Sequence, residues 1–360
     1  MPIVPDRRAC IAAIGTAVPD HDIHQAFIGW ARARISERRD AAVFERMAKR
    51  SGISHRWSVL PQSEDGGSPV TRGGFYAGRS LPTTAERMRL YSVYAPDLAM
   101  AAIADLAKNC DLSGVTHIVV ASCTGFVAPG IDQIIAQRLG LSADVERLLI
   151  GFMGCYAAIA ALRSARHIVR SDPQARVLVV TVELSTLHLQ GDHEIESLLA
   201  MLQFGDGAAA ALVCGQGPGL SIQAPFAHNL PNSEQLIRWA IGDEGFAMHL
   251  SGEVPGRIAG ALRDADMQAI VTGGTPPSDI DAWAVHAGGR SILDAVSTSL
   301  ALAEPALADS RAVLNEYGNM SSSTLMFVLA RQFATQPKNG VALAFGPGLA
   351  AEGFGFGWCE

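Results

Sequence analysis

Apolar runs along this chain are separated by polar, glycine-rich punctuation, and their lengths alternate between those of strands and those of helices. Residues 10–15 read as a first strand. Residues 63–84 are rich in Gly, Pro, Ser and Thr and lack periodicity, which predicts a long loop. Loops of that length in compact domains commonly act as lids or channel walls. Beyond it, residues 97–108 form an alanine-rich helix and residues 116–122 a strand. Cys155 opens a helix that runs through 157–170, and residues 176–181 are a second strand. The same order then recurs: a helix over 256–270, a strand over 281–287, a helix opened by Asn319 and apolar over 325–330, and a strand over 341–345.

The two passes agree in register. Cys155 to Val177 is 22 positions, and Asn319 to Val341 is also 22; Ser122 to Cys155 is 33, and Ala287 to Asn319 is 32. Each pass closes on a glycine-punctuated apolar segment, Phe204-Gly-Asp-Gly in one and Phe345-Gly-Pro-Gly in the other. Self-similarity on this scale predicts a duplicated α/β fold in two halves, 1–218 with Cys155 and 219–360 with His286 and Asn319. Strands alternating with helices predict largely parallel sheets covered by helices, stacked as five layers, αβαβα.

Composition narrows the partners. A net charge of −7 and a pI near 5.8 leave no basic excess to neutralise phosphates, which excludes a nucleic-acid partner. Clusters such as Arg32, Arg34, Arg38 and Arg39 are interleaved with acids and read as a solvated helix face. No uninterrupted apolar run reaches the ~18 residues of a membrane span. Arg7 and Arg8 precede the apolar run 9–18, but that run is short and no clean cleavage site follows, so it reads as a strand and not an export signal. Six scattered cysteines without CxxC spacing argue against a disulfide framework or a zinc site, and fit a reducing, cytoplasmic compartment.

Candidate chemistry gathers where the two passes meet. In Gly151-Phe-Met-Gly-Cys155-Tyr-Ala-Ala, a cysteine opens a helix that is apolar nearly all round. Free cysteines are usually small buried hydrophobes, yet one in a helix's first turn feels the positive end of the dipole, which favours thiolate. The equivalent position in the second pass is polar, Asn319. His286 ends a strand and is followed by Ala287-Gly-Gly, the place where α/β sheets present ligand-binding groups. His188 and His193 stand near Asp192 and Glu194 but lack metal-ligand spacing.

These motifs resemble a family. Gly-Cys-Tyr-Ala-Ala at 154–158, His-Ala-Gly-Gly at 286–289, Glu-Tyr-Gly-Asn-Met-Ser-Ser at 316–322 and Gly-Pro-Gly at 346–348 look like type III polyketide synthases of the chalcone and stilbene synthase family, in their bacterial form. The resemblance implies a thiolase-like fold and a homodimer. It also implies a Cys155 nucleophile that takes an acyl starter from coenzyme A, with His286 and Asn319 polarising malonyl-CoA during decarboxylation. It makes Phe204 a gate between a coenzyme A tunnel and an inner cavity, with Met248 where many members carry phenylalanine. Cys123, Ser185, Trp239 and Ser321 fall at substrate-pocket positions, and Arg46, Arg50, Gly289 and Ser291 at coenzyme A positions. No metal or resident cofactor is implied beyond the coenzyme A thioesters themselves. A flexible Met248 beside small residues predicts room for an aliphatic starter, and Trp239 predicts a narrowed wall and few extensions, giving a pyrone or resorcinol. The alternatives are a ketoacyl-ACP synthase III, a hydroxymethylglutaryl-CoA synthase, a cysteine thioesterase, or a non-catalytic scaffold.

Overall fold

The core strands are apolar at nearly every position rather than at alternate ones, so both faces of each sheet must be covered. A computed structural model describes residues 8–63, 67–78, 80–191 and 193–360; Arg7, Asp192 and parts of the 63–84 loop lie outside it. In chain order the elements are β1 (Cys10–Ala17), β2 (His21–Asp22), α1 (His24–Arg32), α2 (Arg38–Arg50), β3 (Trp57–Ser58), α3 (Thr84–Leu106), β4 (His117–Ser122), α4 (Ile131–Arg138), β5 (Glu146–Gly151), α5 (Ala157–Ser171), β6 (Arg176–Leu184), α6 (Ile195–Met201) and β7 (Asp206–Cys214). Then follow β8 (Gly219–Ser221), β9 (Gln223–Asn229), the hairpin β10 (Ile237–Gly242) and β11 (Gly245–Leu250), α7 (Val254–Leu262), α8 (Ala265–Thr272), β12 (Ala282–Val285), α9 (Arg290–Ser299), α10 (Ala308–Tyr317), α11 (Ser322–Gln332), β13 (Gly340–Gly346), β14 (Ala350–Phe356) and β15 (Trp358–Cys359).

The duplication extends to strand order. A seven-stranded sheet runs β15-β8-β1-β7-β6-β4-β5 and a four-stranded sheet runs β12-β13-β14-β9. Within them, β4–β6 is parallel and β6–β7 and β7–β1 are antiparallel; β12–β13, β13–β14 and β14–β9 repeat those three relationships. The sheets are therefore mixed, which corrects the expectation of largely parallel ones. β14 returns from β13 through the three-residue turn Pro347–Leu349, far too short for the crossover a parallel neighbour requires. β8 and β15, both beyond residue 218, also join the first sheet.

Strand alternation sorts side chains into three cores. Ile118, Val120, Leu178 and Val180 face one way, onto α1 to α4. Val119, Ala121, Val177 and Val179 face the other way, onto α5 and α11. The second sheet turns Ala342 and Ala344 to the same two helices, and Val341, Leu343 and Phe345 to an outer layer of α7, α8 and α9. Five layers result, with α5 and α11 in the middle. Alanines on the inward faces of both sheets leave room for those helices.

Several boundaries moved. α3 begins at Thr84, well before the expected residue 97, because Thr83 and Glu86 form a reciprocal capping box. The helix expected over 256–270 is broken, since the Asp264 side chain accepts the Met267 N–H at 3.0 Å and starts α8. The β10–β11 hairpin went unread, its alternation being too short to separate from loop. Cys10 and Cys359, on strands either side of β8, bring their sulfurs side by side. Among the described residues, no helix is long and apolar enough to cross a membrane.

Candidate active site

Both middle helices begin at the same place. Gly154 has φ +76°, and a Cβ there would lie 2.3 Å from Pro347 Cδ, so the bend that presents Cys155 requires glycine. Cys155 sits in a single 3₁₀ turn, Gly154–Tyr156, that feeds α5. Across from it, buried hydroxyls pin the start of α11. Ser323 donates to Gly207 O at 3.1 Å and pairs with Thr181, the Thr324 hydroxyl accepts the Met320 N–H at 2.8 Å, and Ser322 donates to Glu183. The Ser321-Ser-Ser-Thr run thus anchors a helix end to β6 and β7, and holds Asn319 just upstream.

Cys155, His286 and Asn319 line one cavity, together with Phe204, Met248, Ile237 and Phe345. His286 follows β12, and its N–H donates to Leu343 O at 2.8 Å. Neither of its ring nitrogens has a hydrogen-bond partner among the described residues. A Cβ at Gly288 would lie 3.3 Å from that ring, so the glycine leaves the imidazole its space. The Asn319 side-chain carbonyl accepts the Ser321 N–H at 2.8 Å, and its amide donates to Gly288 O at 3.3 Å.

All three side chains are buried, and the direction of their acid–base chemistry follows from that. Burial pushes the Cys155 thiol up to about 12, against weaker opposing hydrogen bonds from Ser321 and Asn319. Burial alone lowers His286 to about 3. Both directions favour the neutral thiol and the neutral imidazole, opposite to the depressed thiolate that a helix terminus alone would give. A neutral imidazole with free nitrogens can take a proton at one and donate at the other.

Phe204 and Met248 also line a second, larger cavity, so both stand between it and Cys155. Its walls include Phe27, Leu60, Val70, Met201, Ser185 and Phe246. Ser68, Pro69 and Val70 come from the long loop, which serves as a wall there. Trp239 is cross-strand from Met248, and its indole N–H donates to Cys123 O at 2.9 Å. His188 stacks on Phe246 at 4.2 Å, and both its nitrogens are used, by Thr124 O and the Phe246 N–H. Cys123 is a correction: its sulfur accepts the Gly154 N–H at 2.9 Å, turned under Cys155, and lines neither cavity.

Arg46 and Arg50 lie exposed on α2, and Ser291 is exposed on α9, just after Gly289. Arg290 donates to Arg50 O at 3.3 Å, which brings these two segments together. Sequence reasoning missed Arg290, whose exposed charge carried no pattern. It also missed Glu183, raised to about 7 by burial, which accepts from Cys123 N–H, Thr124 and Ser322. A lone acid ending the apolar strand at 176–184 was the available signal.

Comparison with known proteins adds the following. Residues 4–218 match the model for the N-terminal domain of chalcone and stilbene synthases, and residues 221–356 match that for their C-terminal domain. A curated relative, the alpha-pyrone synthesis polyketide synthase-like Pks18 of Mycobacterium tuberculosis, is 35% identical over 298 residues, 77% of this chain and 74% of the relative. The crystal structure of PKS-I from the brown alga Ectocarpus siliculosus superposes with a TM-score of 0.88 at 30% identity, covering 98% of both chains. The C-terminal type III polyketide synthase domain of Steely1 from Dictyostelium gives 0.85 at 27% identity, over 97% of this chain and 99% of that one. The fold is thus thiolase-like, as these neighbours are.

Removal of the imidazole tests the neutral-pair chemistry. In His286→Ala, the Cys155 thiol has no internal proton acceptor, so alkylation by iodoacetamide at pH 7 should slow by ~10²-fold. The residual rate should climb steadily with pH up to 10 without levelling. An unchanged rate, or a plateau near neutrality, would contradict it.

Proposed function

The chain belongs to the chalcone and stilbene synthase family, the type III polyketide synthases, and on that premise we propose that Cys155 carries an acyl chain from coenzyme A through successive condensations with malonyl-CoA. The observation that carries this reading is the shared cavity of Cys155, His286 and Asn319, where an imidazole with two free nitrogens faces a buried thiol.

In the first step the Cys155 sulfur attacks the starter thioester as its proton passes to His286; coenzyme A leaves as a thiol, taking that proton back. Malonyl-CoA then occupies the site. Its carbon–carboxylate bond breaks, carbon dioxide departs, and the electron pair forms an enolate whose oxygen accepts hydrogen bonds from His286 and Asn319. The enolate carbon attacks the Cys155-bound carbonyl, the carbon–sulfur bond breaks, and the lengthened chain returns from coenzyme A to Cys155 for another round. These neutral donors supply the polarisation, so the reaction is assigned no metal and no resident cofactor beyond its thioester substrates. Arg46, Arg50 and Arg290, with Gly289 and Ser291, are assigned to the coenzyme A phosphates and backbone, supported by the Arg290–Arg50 contact.

The starter is assigned as an aliphatic acyl group. The cavity beyond Phe204 and Met248 has mainly apolar walls, and each buried methylene contributes about 0.8 kcal/mol. Trp239, fixed to Cys123 O and set edge-on to His188 and Phe246, fills the wall beside the gate. A chain met by that wall stops after two or three extensions and closes as a pyrone or resorcinol. The naming of the 35%-identical relative as an alpha-pyrone synthase-like protein supports the first. A homodimer working in the cytoplasm is also proposed. Among the described residues β5 is an edge of its sheet, and it exposes Leu148 (42%) on one face and Leu149 (40%), with nearby Phe126 (44%), on the other. Such an edge is self-complementary across a twofold axis and hazardous if left bare.

Three outcomes test these assignments. Asn319→Ala should lower carbon dioxide release from malonyl-CoA by ~10²-fold while Cys155 still accepts a starter; an unchanged release rate removes Asn319 from the enolate site. Efficiency should rise with starter chain length until the cavity fills, and Trp239→Gly should lengthen the product by at least one two-carbon unit. Preference for an aromatic starter, or an unaltered product profile, would overturn the pocket reading. Light scattering should give a dimer at micromolar concentration that Leu148→Lys with Leu149→Lys converts to monomer; a monomeric wild type would refute the interface.

A further inference from the structure

Phe204 and Asn319 are not independent. The Asn319 N–H donates to Gln203 O at 2.8 Å, and the Gly205 N–H donates to Asn319 O at 3.0 Å, a two-bond bridge centred on Phe204. The gate and the amide that faces the thiol therefore move as one unit. What fixes that unit from behind is Arg56, only 1% exposed and without a carboxylate ion-pair partner among the described residues.

One guanidinium nitrogen, Nη1, donates to Phe204 O at 2.7 Å and to Met201 O, the last residue of α6, at 3.0 Å. That satisfies a carbonyl the helix end leaves open and ties the end of α6 to the gate. Nε donates to the His24 Nδ1 at 2.9 Å, which sets the plane of the guanidinium. Burial holds His24 down to about 4, so Nδ1 remains an acceptor at neutral pH. Arg56 itself, lowered to about 9 by burial, stays charged there. Its stem is wedged against the other strand of the bridge: a Cβ at Gly318, which has φ +69°, would lie 2.8 Å from Arg56 Cγ, and one at Gly205 would lie 3.5 Å from Arg56 Cβ. Gly318 must be glycine for that approach, whereas the separation at Gly205 is ordinary van der Waals contact. The adjacent Trp57 adds an indole N–H to Glu316 O at 2.9 Å, steadying the segment that leads to Asn319. Nη2 has no hydrogen-bond partner among the described residues, a cost that an apolar side chain filling the same space would avoid.

We propose that Arg56 is a positioning residue for the decarboxylation step, holding the Phe204–Asn319 unit at the spacing from His286 that the enolate oxygen requires. The inference rests on the roles given above to Asn319 and Phe204. Cys155 and His286 hang from other elements, the turn before α5 and the end of β12, so starter loading is less sensitive to Arg56 than decarboxylation is.

Arg56→Lys keeps a charge but loses the planar fork, and His24→Leu keeps the guanidinium while removing the acceptor that orients it. Each variant is measured for Cys155 acylation by intact mass, for carbon dioxide release from malonyl-CoA with kcat and KM separated, and for thermal stability. Expected for Arg56→Lys is acylation within twofold of wild type and a decarboxylation kcat at least tenfold lower. For His24→Leu the expectation is the same split, at least threefold. Where Arg56→Lys does not fold, His24→Leu decides. Equal loss of both steps, or loss of neither, overturns the proposal, the former by reducing Arg56 to a structural residue. A wild type that neither loads a starter nor decarboxylates malonyl-CoA would instead refute the synthase chemistry itself.

Discussion

Two sheets share one middle layer, and the rest follows from how closely they hold it. Ala121, Ala209 and Ala211 on the first sheet and Ala284, Ala342 and Ala344 on the second are fully buried against α5 and α11. Larger side chains there would force the sheets apart at a cost of about 1–3 kcal/mol each. Because the halves repeat one plan, both helices start at the same end of that layer. Cys155 and Asn319 are brought together by this repetition, and His286 joins them from the end of the strand β12, next to β13. Catalytic geometry is thus a consequence of packing and not a property of any one loop.

The same packing buries the site and sets its electrostatics. A solvated cysteine and histidine would sit near their ordinary values, whereas here burial drives the thiol up and the imidazole down. A neutral pair passes its proton internally when substrate arrives, without bringing net charge into a low-dielectric cavity. Nearby, Glu183 and Asp206 are also raised by burial and are held by hydroxyls and backbone N–H groups. Polar groups in this interior are costly one by one and are tolerated because nearly every one is tied to a neighbour.

Duplication was what made the chain legible. The matched spacings around Cys155 and Asn319 located both helix starts and the strand that follows each, and the motifs around His286 and Gly346 supplied the other site candidates. The five layers could be foreseen from strand–helix alternation. Strand direction could not, since an antiparallel return through Pro347–Leu349 looks locally like any apolar run ended by glycine. Nor could protonation, because a helix start is visible in sequence while its degree of burial is not. Cys123 was misplaced for a related reason: a position in sequence does not say which way a side chain turns. Arg56 left no trace at all, since its partners are the carbonyls of residues 145 and 148 positions away.

The competing condensing-enzyme, thioesterase and scaffold readings all part from the account at one covalent species. The protein incubated with a long-chain acyl-CoA and isotopically labelled malonyl-CoA, quenched and digested, should yield a Cys155 peptide bearing the starter and, in turn, the starter lengthened by labelled two-carbon units. A Cys155 peptide that never carries a lengthened chain while product accumulates, or a chain found on another cysteine, would contradict it.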